Sequence, residues 1–299
     1  MMDRRTFTLG VGAAGAAALF PKAARAGRKK GGIRVGYAAI TWRDTPVKTA
    51  IEEISALGYP GIQLRSNILK EFKTPDALKA DLEKAKLTFA CMSGFGPKED
   101  PAVRKDEVKR FMELATFGKA AGALAIQATS PKRGDKVEKA QLEAFAATLD
   151  EIGKRTADIG LPLVFHPHMQ QIGEKPEEVA VIMGKVNPKH VRLLLDTGHW
   201  QAAGGDPVKA VKQYAKSLAV LHIKDVAAKA PEKPGDKDYV FVELGEGKVD
   251  FKKVFAALKT VGFAGWAIVE LDSAAKGRAP KEAAAANKVF LEKKIGLSV

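Results

Sequence analysis

Four of the five histidines in this 299-residue chain stand where an apolar run gives way to polar residues. His166 and His168 close "LVFHPH" (163–168), His199 follows "LLLDTG" (193–198), and His222 lies in "VLHIKD" (220–225). A fourth run ends "IVELD" (268–272), placing Glu270 and Asp272 in the same kind of position. The fifth histidine, His190, precedes its apolar run and reads as structural. A single histidine beside an apolar run is ordinarily a core or surface residue, but four at the same end of successive runs point to a shared task. Asp196, His222 and Glu270 offer one imidazole and two carboxylates, and His166 adds a fourth donor. Oxygen ligands with some imidazole suit one divalent ion, Mn²⁺ or Co²⁺ foremost and also Mg²⁺ or Zn²⁺; copper would want sulfur. Without an ion such carboxylates repel and some must stay protonated. A salt-bridge network around Lys224 is the competing reading.

Lys224 is two residues past His222 and, by strand alternation, faces the same way. There it would stabilise an enolate or act as an acid, or it would simply neutralise Asp225 or Asp196. Gln63, Arg65, Gln127 and Trp42 also fall at run ends and are candidate sugar contacts. Amides bond sugar hydroxyls, and an aromatic face packs on a sugar ring.

The elements that must carry these residues repeat regularly. Apolar runs at 33–40, 61–65, 87–92, 123–128, 161–166, 191–196, 219–224 and 265–271 alternate with stretches of helical periodicity such as Val47-Ile51-Ile54-Leu57. Thr74-Pro75-Asp76, Asp206-Pro207 and Lys175-Pro176-Glu177-Glu178 are helix starts, and Gly58, Gly122, Gly160 and Gly262 are helix ends. Continuous apolar strands with helical crossovers predict a parallel sheet covered on both faces. Eight such units predict an α/β fold, a (β/α)8 TIM barrel forming a single catalytic domain over residues 31–299. A doubly wound sheet would want a glycine-rich loop after the first strand, where the chain reads "GYAAITW". Residues 227–247, rich in Lys, Pro, Asp and Gly, read as a mobile loop over one barrel end.

Ahead of the barrel, residues 1–26 read as a twin-arginine signal peptide: Arg4-Arg5, a Gly/Ala/Leu-rich apolar run, then Ala24-Arg25-Ala26. That implies export by the twin-arginine route to the periplasm or outside the cell. The apolar run is too short to span a bilayer, so no membrane insertion is expected after cleavage. The formal charge of +14 admits nucleic acid as a partner, but the lysines are spread along helix faces, so none is expected. The single cysteine, Cys91, sits in an apolar run and reads as a buried hydrophobe. A homo-oligomer is compatible with everything read so far.

With these motifs in place the chain resembles the xylose-isomerase-like barrel superfamily of sugar phosphate isomerases and epimerases, in particular its inosose-dehydratase-like branch. The resemblance covers roughly 33–295 and rests on "FHPH" (165–168), "LLLDTGHWQAAGGDP" (193–207), "LHIKDV" (221–226), "VELGEGKVDF" (242–251) and "AIVELD" (267–272). It implies Asp196, His222 and Glu270 as metal ligands, with His166 where many sugar epimerases carry a glutamate. It also implies a small-molecule sugar substrate, with His168 and His199 beside the ion or on substrate hydroxyls. The endonuclease-IV-like members need further histidines that this chain lacks. The expected activity is that of a metal-dependent isomerase or epimerase acting on a keto-sugar or keto-cyclitol through a metal-stabilised enolate. Glu270 or His166 is the expected base and His168 the acid. The alternative on the same site is a lyase that expels the β-substituent, and His166 in the glutamate position favours it. A non-catalytic periplasmic sugar-binding protein is the rival from another class.

Overall fold

Alternation of apolar runs with amphipathic helices closes the chain into a ring of eight parallel strands, as the sequence predicts. The computed structural model describes residues 32–233 and 236–299. The predicted signal, 1–26, lies outside the described residues. In chain order the elements are β1 (Arg34–Ala38), α1 (Val47–Ala56), β2 (Gly61–Arg65), α2 (Ile68–Glu71), α3 (Pro75–Lys84), β3 (Thr88–Ser93) and α4 (Arg104–Ala120). They continue with β4 (Ile126–Ala128), α5 (Lys139–Asp158), β5 (Leu163–Phe165), α6 (Pro176–Lys185), β6 (Val191–Asp196), α7 (Thr197–Ala202) and α8 (Pro207–Gln213). The last are β7 (Leu218–Ile223), β8 (Asp225–Ala228), β9 (Tyr239–Val242), α9 (Phe251–Thr260), β10 (Trp266–Val269) and α10 (Pro280–Phe290). The barrel order is β1-β10-β7-β6-β5-β4-β3-β2, and β8 pairs with β9 outside it.

The helix signals act as read. Thr74 caps α3 by accepting from the Ala77 N–H, and Asp206 caps α8 by accepting from Val208 and Lys209. No helix among the described residues is long and apolar enough to cross a membrane.

The pleat sets which side chains enter the barrel. Val164, Leu194, Val220 and Ile268 form one buried cluster with Cys91, Ala125 and Trp266. Two residues further along their strands, on the same face, come His166, Asp196, His222 and Glu270. The apolar layer thus underlies the polar one. Burial pushes the Cys91 thiol well up, with Glu270 adding to the shift, so it stays protonated and inert. At the opposite barrel end the Trp266 ring lies across β1 and β2. A Cβ on Gly61 would come within 2.3 Å of that ring, so glycine there is a packing requirement.

One expectation is corrected. The flanks of 227–247 do not form an open loop: β8 and β9 pair antiparallel, from Asp225 opposite Val242 to Ala228 opposite Tyr239. The Lys, Pro, Asp and Gly of the hairpin tip masked the β-prone "YVFV" flank. Asp225 fastens this hairpin. Its buried carboxylate accepts from the backbone N–H groups of Val226, Gly245, Gly247 and Val249 at 2.9, 2.9, 3.0 and 3.1 Å. Asp225→Ala should therefore cost about 2–4 kcal/mol of unfolding free energy, since several buried donors lose a charged acceptor at once. Urea denaturation checks this, and a loss under about 0.5 kcal/mol, the range of ordinary surface substitutions, would show that the hairpin holds without it.

Candidate metal centre and active site

Asp196 and His222 are direct register partners on β6 and β7, and Ile268 of β10 pairs with His222, so Glu270, two residues on, reaches the same group from one step further along its strand. His166 is one residue past the end of β5. One donor atom from each of these four buried residues lies within 4.8 Å of all the others. Nδ1 of His222 stands 3.4 Å from Oδ2 of Asp196 and 3.3 Å from Oε2 of Glu270. Four donors held about 2.1 Å from one centre in a tetrahedral arrangement are themselves about 3.4 Å apart. Nδ1 of His166, Oδ2 of Asp196 and Nδ1 of His222 are all buried and find no hydrogen-bond partner among the described residues. Buried polar atoms left unpaired are costly, and here three of them converge. Two imidazoles and two carboxylates so arranged fit a divalent cation.

In His222, Asp196 and Glu270 the other polar atom is committed elsewhere, which fixes the orientation of these three. Nε2 of His222 is 2.9 Å from Oε1 of Gln63, so it carries the proton and Nδ1 keeps the lone pair. The Gln63 amide donates in turn to Ser93 Oγ at 2.8 Å and to Gln127 Oε1 at 3.0 Å. Oδ1 of Asp196 caps α7 by accepting the His199 N–H at 2.8 Å. Oε1 of Glu270 accepts from Nζ of Lys224 at 3.0 Å, and Asp272 accepts from the same Nζ at 2.6 Å. The Lys224 side chain is fully buried. Burial alone would lower its pKa, but Glu270, Asp272 and Asp196 more than reverse this, so the ammonium stays charged. Burial likewise opposes charge on Glu270, yet His222, Lys224 and His166 hold its carboxyl well below the usual range. The carboxylate–lysine network anticipated as a competing reading thus exists, and it supports the donor set.

His166, His168 and His199 form a second close group, but it suits a cation poorly. Nδ1 of His199 accepts the Met169 N–H at 3.2 Å, which puts the ring proton on Nε2, and that atom faces Lys224 Nζ at 3.4 Å. His168 is fixed by the same residue, its Nδ1 donating to the Met169 carbonyl at 2.8 Å. That leaves Nε2 of His168 as a free acceptor. Burial lowers the pKa of His168, and lowers those of His166 and His199 further, so all three rings are neutral at pH 7.

A cavity of about 250 Å³ opens above the donor set. His166, His168, Glu270, Gln63, Arg65 and Gln127 line it. Two residues expected at the substrate do not. Trp42 is buried beneath the turn after β1, its Nε1 donating to Glu53 at 2.6 Å and its ring edge-on to Tyr37. The short 3-10 turn at Ala39–Trp42 rotates it away from the opening. His199 lies behind His168 and packs on Phe241 of the hairpin. Phe241 is not among the residues singled out by type and spacing, and its ring also covers Lys224 Nζ at 4.2 Å. The β-prone "YVFV" stretch was its one available signal. Arg43, Ser93, Thr129 and Asp272 line the cavity as well.

The family model described as xylose isomerase-like TIM barrel matches residues 51–294. The chain belongs to this family. Among its relatives, inosose dehydratase of Lacticaseibacillus casei is 26% identical over 296 aligned residues, covering 87% of this chain and 96% of the relative. The rhizopine catabolism protein MocC of Rhizobium meliloti is 28% identical over 270 residues, covering 80% and 82%. The solved structure of IolI protein with a bound zinc atom matches with a TM-score of 0.73 at 22% identity, covering 87% of this chain and 97% of that one. In this xylose-isomerase-like barrel, Gln63→Leu should weaken Mn²⁺ binding roughly 10–100-fold by releasing His222 from its fixed tautomer. Titration calorimetry of the metal-stripped protein measures it. An unchanged Kd would mean that Gln63 does not orient His222.

Proposed function

We propose that the protein is a divalent-metal-dependent lyase that removes water from a keto-cyclitol or keto-sugar. One observation carries the reading: His168 lines the same cavity that the donor set faces, and its Nδ1–H bond to the Met169 carbonyl leaves Nε2 unprotonated. Curated relatives named as inosose dehydratases support elimination over the isomerase or epimerase activity that the sequence alone put first. His166 adds to this, because proton exchange on opposite substrate faces by two carboxylates needs an acid where this chain has an imidazole.

His166, Asp196, His222 and Glu270 would hold the ion. When bound, it supplies Lewis-acid stabilisation for charge developing on a substrate carbonyl oxygen. With Nδ1 of His166 and Oε2 of Glu270 in the donor set, the proton falls to His168 rather than to either residue first expected as base. Nε2 of His168 takes the proton alpha to the carbonyl, and the Met169 carbonyl stabilises the imidazolium through Nδ1–H. The electron pair of the broken C–H bond forms the C=C bond as the β C–O bond breaks. His168 then returns its proton to the departing hydroxyl, which leaves as water. Lys224 keeps Glu270 ionised and in place, and Phe241 shields the ammonium from solvent. Residues 1–26 support a periplasmic or extracellular setting in this reading.

Mass spectrometry of the Mn²⁺-loaded protein with a panel of inososes and keto-sugars in D₂O tests the reaction. Loss of one water is expected. Deuterium gained with every oxygen retained would return the assignment to an isomerase or epimerase. His168→Asn should lower kcat roughly 10²–10⁴-fold, the range for a lost general acid–base, with metal content unchanged. Wild-type turnover in that variant would remove His168 from the mechanism.

A further inference from the structure

We infer that the substrate carries a carboxylate and that Arg65 at the cavity rim binds it, an inference that rests on the keto-substrate reading above. The charges around the cavity carry the argument. Asp196 and Glu270 balance a divalent ion, and Asp272 balances the buried Lys224 through its 2.6 Å contact. Two cations on the cavity wall remain, Arg43 and Arg65. Neither forms an ion pair with any described residue. Arg43 is partly committed, its guanidinium donating to the main-chain carbonyl of Asp272. The Arg65 side chain makes no hydrogen bond to any described residue.

Position makes this more than a solvated surface arginine. Arg65 ends β2 two residues after Gln63, so both project from the same face of the strand. Gln63 orients His222 from the polar layer, and Arg65 stands one layer higher along the same wall. A keto-sugar with its carbonyl toward the donor set would extend its far end toward the ends of β1 and β2. A carboxylate there meets a planar fork of matching geometry. One uncommitted guanidinium matches one negative charge, which favours a carboxylate over a phosphate dianion. The class implied is a keto-sugar acid, the product of oxidising a sugar acid at a secondary hydroxyl.

Binding separates this inference from the reaction. The probes are 5-keto-D-gluconate and L-sorbose, which differ only in carboxylate against hydroxymethyl, with L-sorbose 6-phosphate as a third arm. Each is titrated calorimetrically into the Mn²⁺-loaded full chain at low salt. The acid should bind roughly five- to tenfold tighter than L-sorbose, as for one charged hydrogen-bonded pair at a rim, and tighter than the phosphate. The preference should fall below about twofold in Arg65→Gln, survive in part in Arg65→Lys, and shrink with added salt. A preference that persists in Arg65→Gln would put the carboxylate on the metal and overturn the inference. So would tighter binding of the phosphate, or an acid that binds no better than L-sorbose. Arg65-dependent preference without loss of water from any substrate would instead leave the substrate class standing and remove the lyase.

Discussion

Everything at the open end of this barrel depends on burying like charges close together. Asp196 and Glu270 converge in the barrel, Asp196 buried and Glu270 only 7% exposed where it meets the cavity, so water relieves little of their repulsion. Two counter-charges relieve the repulsion from different sides. Lys224 takes one oxygen of Glu270 and is itself held charged by Asp272. The converging lone pairs of His166, Asp196 and His222 leave the other side for a cation. Remove either partner and the remaining charges become a penalty that this layer of the barrel cannot hide.

Orientation is set with the same economy of groups. Met169 steers two imidazoles at once, donating its N–H to His199 and accepting from His168, so its single peptide backbone sets opposite proton patterns on adjacent rings. Gln63 links His222 of β7 to the Gln127 amide of β4 across the barrel interior. Thr197 ties β7 to the start of α7, accepting the Lys224 N–H at 3.0 Å and donating to its carbonyl at 2.7 Å. The stretch "DTGH" therefore serves several ends: a candidate ligand that also caps a helix, a strand tie, a glycine that admits the Lys224 stem, and a histidine buried behind the cavity. A Cβ on Gly198 would meet Cγ of Lys224 at 2.9 Å.

Period-two alternation made the barrel and its polar layer legible, because each chemical residue stands two places beyond an inward apolar one. The four-donor grouping is read from the position of these residues at the same end of successive apolar runs. Strand lengths were less accessible: of the run at 123–128 only Ile126–Ala128 is regular strand, since the alanines at 123 and 125 are apolar without favouring the sheet. Trp42 was misplaced because a residue just past a strand points wherever the following turn sends it. Proton placement on His168 and His199 depends on the Met169 backbone, which no residue type encodes. The hairpin was hidden because polar tip residues outweighed its β-prone flanks in any composition-based reading.

Trp266 adds a consequence for traffic. Its ring fills the floor between β1 and β2, with the Arg34 guanidinium 4.4 Å from its centre. The vessel is thus open at one end only, and whatever enters must leave the way it came. A spent molecule still in the doorway excludes its successor, so the accumulating product should compete directly with fresh reactant.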